Sequence, residues 1–281
     1  MPASVGDESR VRLTVLGTAA AEGWPALWCV CEACREAARR GGPDIRMRAA
    51  YNIDGHVQID LGPDALAQMW KFGLDYAQLT DLFFTHSHGD HLLAENLAFR
   101  RPGFSKLPAG SVLKVHGNHQ VRMAIENWVK VLPLVTVDFH LLRPFESIEA
   151  GDVRVTPLLA DHAGEEEAVI YLLESGERAL LQGNDTGWFP DETWEFLAGR
   201  EIDVALLDCT YGLESGGGSH LGAPEVAQVK AEMLSTGALA PEGRVIATHF
   251  SHNGAALFRE LTEYFAPHRI EVAYDGLVVE V

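Results

Sequence analysis

Thr85-His86-Ser87-His88-Gly89-Asp90-His91 closes an apolar run that begins at Leu79. The run reads as a buried strand, so this polar cluster falls at a strand's carboxyl end, where α/β proteins place their chemistry. His86 and His88, two residues apart on an extended chain, project to the same side, and Asp90 and His91 can turn back toward them as a helix begins. A lone histidine in such a place is more often a surface or satisfied core residue. The full His-x-His-x-Asp-His run has no comparable structural reading, because burying so many polar rings without partners costs on the order of several kcal/mol.

Three residues further along take the same kind of position. His162 follows the strand expected over Val153 to Leu159, Asp185 the one over Ala179 to Gly183, and His249 the one over Arg244 to Thr248. Other expected strands are Val11 to Leu16, Asn52 to Leu61, Val112 to Val115, Ala168 to Glu174, Val204 to Asp208 and Ile270 to Tyr274. Helices are expected at Asp64 to Phe72 behind an N-cap aspartate, and at Gln120 to Val131, Pro190 to Leu197, Pro224 to Ser235 and Ala255 to Phe265. Many strands with helices between them suit two sheets packed face to face with helices outside. No internal repeat stands out. Ser215-Gly216-Gly217-Gly218-Ser219 reads as a mobile loop beside the site.

The Thr85 to His91 pattern, with His162, Asp185 and His249 in that order, resembles the metallo-β-lactamase superfamily over essentially the whole chain. The resemblance implies an α/β αββα sandwich. It also implies that His86, His88 and His162 hold one metal, that Asp90, His91 and His249 hold a second, and that Asp185 bridges them. Imidazole and carboxylate ligands suit zinc, manganese or iron. Taken one at a time, Asp90 could be a helix N-cap, Asp185 a turn residue, and His162 or His249 a chance histidine.

Cys29, Cys31 and Cys34 crowd into a Cys-x-Cys-x-x-Cys loop, while Cys209 stands alone, which is a poor disulfide framework. Three thiolates need a fourth ligand to close a tetrahedral structural zinc site. His252, three residues after His249, is the expected one; Cys209 competes, but at the end of an apolar strand it reads as a small buried hydrophobe. The cluster narrows the resemblance toward the PhnP-type cyclic-phosphate phosphodiesterases, although a protein family of pyrroloquinoline quinone biosynthesis carries a similar one. That resemblance implies that His220 protonates the leaving group, and it makes Arg46 and Arg48 candidate phosphate binders. Ala49-Ala50-Tyr51 departs from the small hydroxyl residues expected next to such an arginine pair.

The chain has 281 residues, 47% hydrophobic, with 40 acidic against 22 basic side chains and a net charge of −18. A single domain spanning 1–281 is expected. The charge disfavours nucleic acid and suits a small-molecule substrate. No apolar run approaches a membrane span, and the start lacks a secretory pattern, so a cytoplasmic protein away from membranes is expected; a homodimer is compatible with all of this. The expected chemistry is hydrolysis of a small or cyclic phosphodiester by water shared between two divalent cations, with Asp90 and His220 in the catalytic apparatus. The alternatives are a lactone, thioester or amide hydrolase, a quinone-cofactor biosynthesis protein, and a nucleic-acid nuclease.

Overall fold

In a computed structural model, residues 10–129, 136–162 and 164–281 are described. The first sheet is formed by β1 (Arg12–Gly17), β2 (Ala50–Ile53), β3 (Val57–Ile59), β4 (Asp81–Phe83), β5 (Leu113–Gly117), β6 (Val137–Leu141) and β14 (Val278–Glu280). The second is formed by β7 (Ile148–Ala150), β8 (Val153–Leu159), β9 (Val169–Ser175), β10 (Arg178–Gly183), β11 (Ile202–Asp208), β12 (Leu239–Thr248) and β13 (Ile270–Val272). Helices α1 (Glu32–Arg40), α2 (Ala65–Phe72), α3 (Glu95–Ala98), α4 (His119–Val129), α5 (Asp191–Leu197), α6 (Ala223–Ser235) and α7 (Phe258–Phe265) complete the fold.

The two sheets share one plan. In the orders β14-β1-β2-β3-β4-β5-β6 and β7-β8-β9-β10-β11-β12-β13, three antiparallel pairings are followed by three parallel ones. The duplication shows in backbone pairing, where the sequence shows no repeat. Between the sheets, Leu13, Ile53 and Phe83 pack with Val155, Tyr171, Leu180, Val204 and Ile246, all essentially without exposure. Each such aliphatic side chain contributes roughly 1.5–3 kcal/mol on burial. The outer face of the second sheet is covered by Val226, Val229 and Met233 of α6 and by Leu261 and Phe265 of α7. Val121 and Ile125 of α4 cover Phe84 and Val115 on the other side. This is the αββα arrangement the motifs implied.

Several elements differ from the sequence-based expectation, each for a local reason. The strand expected over 52–61 is the hairpin β2–β3, which turns at Asp54 and Gly55, both at positive φ. Every residue of both strands is buried, so no alternation marked the break. β4 stops at Phe83 because Thr85 N–H leaves the ladder to bond Asp60 Oδ1 at 2.9 Å. Asp64 does not cap α2: its carboxylate accepts from Arg48 N–H and the Arg48 guanidinium. α7 begins at Phe258, not Ala255, because Ala255 sits at φ 52 after a tight turn. Asp90 and His91 lie in a turn in which His91 and Leu92 N–H both donate to His88 C=O, and the next helix starts only at Glu95. The last two positions of the helix expected over 120–131 lie outside the described residues.

Candidate metal centre

The parallel strands converge on one rim, and their carboxyl ends carry the polar residues. β3 delivers Asp60, β4 delivers His86 to His91, β10 delivers Asp185, β11 delivers Asp208 and β12 delivers His249, while β8 leads to His162. Asp60, Asp185 and His249 each take a left-handed backbone, at φ 61, 56 and 60. For non-glycine residues this conformation is costly and survives only where surrounding contacts over-determine it. Here it turns each side chain off the strand end toward the others. Gly62 allows the same convergence, since a Cβ there would lie 1.9 Å from the Asp90 carbonyl oxygen.

His86 Nε2 and His88 Nδ1 lie 2.9 Å apart, and His162 Nε2 stands 3.3 Å from that same His88 nitrogen. Across from them, His91 Nε2 faces Asp90 Oδ2 at 3.1 Å and Asp185 Oδ2 at 2.8 Å, and His249 Nε2 faces Asp185 Oδ2 at 2.9 Å. The ligand atoms of His86, His88 and His162, and those of Asp90, His91 and His249, form two groups within 4.8 Å, with Asp185 beside both.

The ring orientations bear on whether a cation fits. His91 Nδ1 contacts Asp60 Oδ2 at 2.7 Å, and His249 Nδ1 contacts Thr210 Oγ1 at 2.8 Å. Those contacts assign the ring proton to Nδ1, so in each neutral ring Nε2 aims a lone pair at carboxylate oxygen; neither buried Nε2 has a properly aligned hydrogen bond. Lone pair against carboxylate is repulsive unless a positive charge sits between them. Burial opposes protonation of His249, but Asp185 in front and Asp208 behind outweigh it and push its pKa up to about 10. Without a metal, a proton takes the place of a cation. The donor set therefore fits divalent metal, with Asp60 and Asp208 as outer carboxylates that orient the rings.

Nothing in the sequence marks Asp60 or Asp208 as part of the site. Asp208 Oδ2 lies 3.0 Å from His220 Nδ1 and 3.3 Å from His249 Nδ1, and its Oδ1 accepts from Thr210 and Leu221 N–H. A carboxylate at the end of an apolar strand carries no motif of its own; only its neighbours reveal it. His220 stacks on His249 at 5.6 Å between ring centroids, and its side chain is a fifth exposed. His88, Asp90, His162, Asp185, His220 and His249 all border one cavity of about 300 Å³. The glycine-rich loop does flank this site. It is packed, with Gly218 C=O against Gly187 and Glu225 accepting from Gly216 N–H at 2.8 Å.

The arginine expectation needs correction. Arg46 is 3% exposed, donates to Thr18 Oγ1 and Ala273 C=O, and lies over the Phe250 ring. It braces the core and does not border the cavity. Arg48 pairs with Asp64 at 3.0 Å and donates to Ala21 C=O, so it holds the cavity's backbone wall from behind.

Cys29, Cys31, Cys34 and His252 form a separate group. His252 Nδ1 stands 3.6 Å from Cys29 Sγ and 3.5 Å from Cys31 Sγ. Cys31 caps α1, and the Cys34 N–H it accepts, helped by His252, lowers its pKa to about 6 despite some desolvation. Cys209 lies elsewhere, fully buried, with its Sγ near Gly212 C=O. A wider groove of about 630 Å³ opens at the opposite ends of the strands, near Arg178, Asp203 and Arg244, and none of the metal-ligand groups among the described residues borders it.

Two sheets with helices outside and imidazoles and carboxylates gathered at one rim define a metal-dependent hydrolase. The family model of the beta-lactamase superfamily domain matches residues 56–250, and the chain belongs to that superfamily. Among solved structures it is similar to a diphosphatase from the PhnP family, at 25% identity and a TM-score of 0.76 over 97% of each chain. Zinc-bound PqqB from Methylobacterium extorquens aligns at 17% identity and a TM-score of 0.74, over 96% of this chain and 100% of that one. Human tRNase Z, short form, aligns at 17% and 0.62, over 95% and 98%. The last two attest the fold alone. No curated protein sequence matches the chain significantly. No helix among the described residues is long and apolar enough to cross a membrane.

Proposed function

We propose that the protein is a dinuclear-metal phosphodiesterase acting on a small or cyclic phosphodiester. His86, His88 and His162 would hold one zinc or manganese ion, Asp90, His91 and His249 the other, with Asp185 between them, and Cys29, Cys31, Cys34 and His252 a structural zinc. Such cations neutralise charge growing on phosphoryl oxygen and make water a nucleophile at neutral pH. The observation that carries the phosphodiester reading is His220, held through Nδ1 by Asp208 at 3.0 Å at the cavity wall. A departing alkoxide needs a proton; an imidazole fixed at Nδ1 presents Nε2 to deliver one. The likeness to a PhnP-family diphosphatase supports phosphorus chemistry, and a cavity of about 300 Å³ suits a small substrate.

The test measures metal content and then hydrolysis of bis(para-nitrophenyl) phosphate and a ribose cyclic phosphate, beside lactone and thioester panels. About three metals per chain and turnover confined to phosphodiesters are expected. Turnover of lactones or thioesters alone would overturn the phosphodiester reading, and fewer than two metals per chain would overturn the dinuclear one.

A further inference from the structure

Between Glu95 and Glu126 the sequence holds no aspartate or glutamate but carries Arg100, Arg101, Lys106, Lys114 and Arg122. In a chain of net charge −18 this is an island of positive charge. Lys114 faces Asp81 at 3.9 Å and Arg122 pairs with Glu126 at 2.6 Å. No ion pair among the described residues engages Arg100, Arg101 or Lys106. Arg100 donates to Ser111 Oγ, while the Nε atoms of Arg100 and Arg101 and the hydroxyl of Ser105 lack partners. These atoms are buried, so an outside partner can reach only the exposed parts of the segment, Phe99, Phe104 and Lys106 among them.

Aromatic rings stand beside these cations. Phe99 and Phe104 are 55% and 60% exposed, their centroids 5.7 Å apart, and the Arg101 guanidinium lies 4.5 Å from the Phe104 centroid. Large apolar rings facing water next to unneutralised guanidinium groups suit stacked bases and a phosphate backbone. The segment also runs directly out of the loop bearing Asp90 and His91. Phe99 lies eight positions after His91, which limits their spacing to roughly 28 Å. The overall negative charge does not forbid contact, because exposed charges beyond about 8 Å are screened at physiological ionic strength.

We propose that Phe99, Arg100, Arg101, Phe104 and Lys106 form a docking platform for a single-stranded oligonucleotide. None of these residues lines the cavity read above as taking a small diester, so the platform goes beyond that reading, and binding to it is measured apart from turnover. Nucleic acid is favoured over an anionic membrane because it is itself a polymer of the proposed ester.

The test is fluorescence anisotropy of the metal-loaded protein with a short, nuclease-resistant 2′-O-methyl oligouridylate over a salt series. The log of affinity should fall with log salt at a slope of about −2, as three neutralised phosphates on a single strand require. In Arg101→Ala/Lys106→Ala the slope should shrink to about −0.7. Phe104→Ala should weaken binding roughly tenfold. Arg39→Ala, an exposed cation on α1, should leave binding unchanged. Thermal melts check that each variant folds, and hydrolysis of bis(para-nitrophenyl) phosphate should be the same in all of them. Absent binding at low salt, or variants that bind like wild type, would overturn the platform. So would a double variant that loses phosphatidylglycerol vesicles but keeps the oligonucleotide. If the platform binds while no phosphodiester is turned over, the functional reading fails and the platform stands.

Discussion

At the scale of single residues, the site depends on carboxylates that need never touch a metal. Asp60 holds Thr85 N–H at 2.9 Å and His91 Nδ1 at 2.7 Å, fixing the ring that turns Nε2 inward. Asp60→Asn keeps the volume and removes the charge that enforces this tautomer. It should weaken metal retention by about 10- to 100-fold, read by competition with a chromophoric chelator; unchanged affinity would show that His91 needs no such support. His220 makes a different prediction. His220→Ala should slow a diester with an alkoxide leaving group on the order of 10²- to 10⁴-fold, and far less one that releases nitrophenolate, with metal content unchanged. Equal losses would point to binding or loop structure, and lost metal would make His220 a ligand.

Among elements, α1 is the one that depends most on its tether. Its N-cap is Cys31, and it packs on the second sheet through Cys34 and Ala37. Its far end is held by Arg40, whose guanidinium donates twice, at 2.9 Å, to Glu260 of α7. Cys31→Ser should lower the melting temperature while sparing turnover in protein that remains folded, and strong chelation should shift wild type toward the mutant. Identical melts with zinc retained by both would remove the structural site. Arg40 holds the Glu260 carboxyl down near pKa 2, against partial desolvation. A lowered carboxylate pKa stabilises above the unfolded value of about 4.3, and that contribution is lost as pH falls toward 2. Both side chains are partly exposed, so Arg40→Met should lower the melting temperature only slightly at neutral pH. The gap between wild-type and variant melts should close between about pH 4.5 and 2; a gap that persisted at pH 2 would assign the loss to packing.

For the whole molecule, the duplicated sheet plan places the chemistry. Each sheet has its parallel strands on one side, and the candidate ligands arise where those strands end. Asp60 follows β3 of the first sheet, Asp185 follows β10 of the second, and these strands hold the same position in their sheets. Both residues use a left-handed backbone to leave the strand. Two half-sites brought together across the sandwich give a rim where neither sheet alone holds all the candidate ligands.

The sequence by itself determined the loops that bear the candidate ligands and their order, because a run such as His86 to His91 is chemically conspicuous and because apolar strands end abruptly near each of them. It also determined several apolar strands, among them Val153 to Leu159, whose bounds it predicts as the structure has them. The tertiary structure decided the rest. Arg46 and Arg48 read as phosphate binders in a linear sequence, but the former is enclosed by Phe250, Thr18 and Ala273, residues 28 to 227 positions away and so beyond the reach of any local pattern. Asp208 and Asp60 are ordinary acidic residues until His220, His249 and His91 are folded against them. Short edge strands such as β7 and β14 carry too few residues to show a period, and pairing with β8 and β1 alone defines them. Chemistry that resides in one contiguous segment can be read along the chain; orientation and neutralisation arise from contacts between segments, and only the packed fold supplies those.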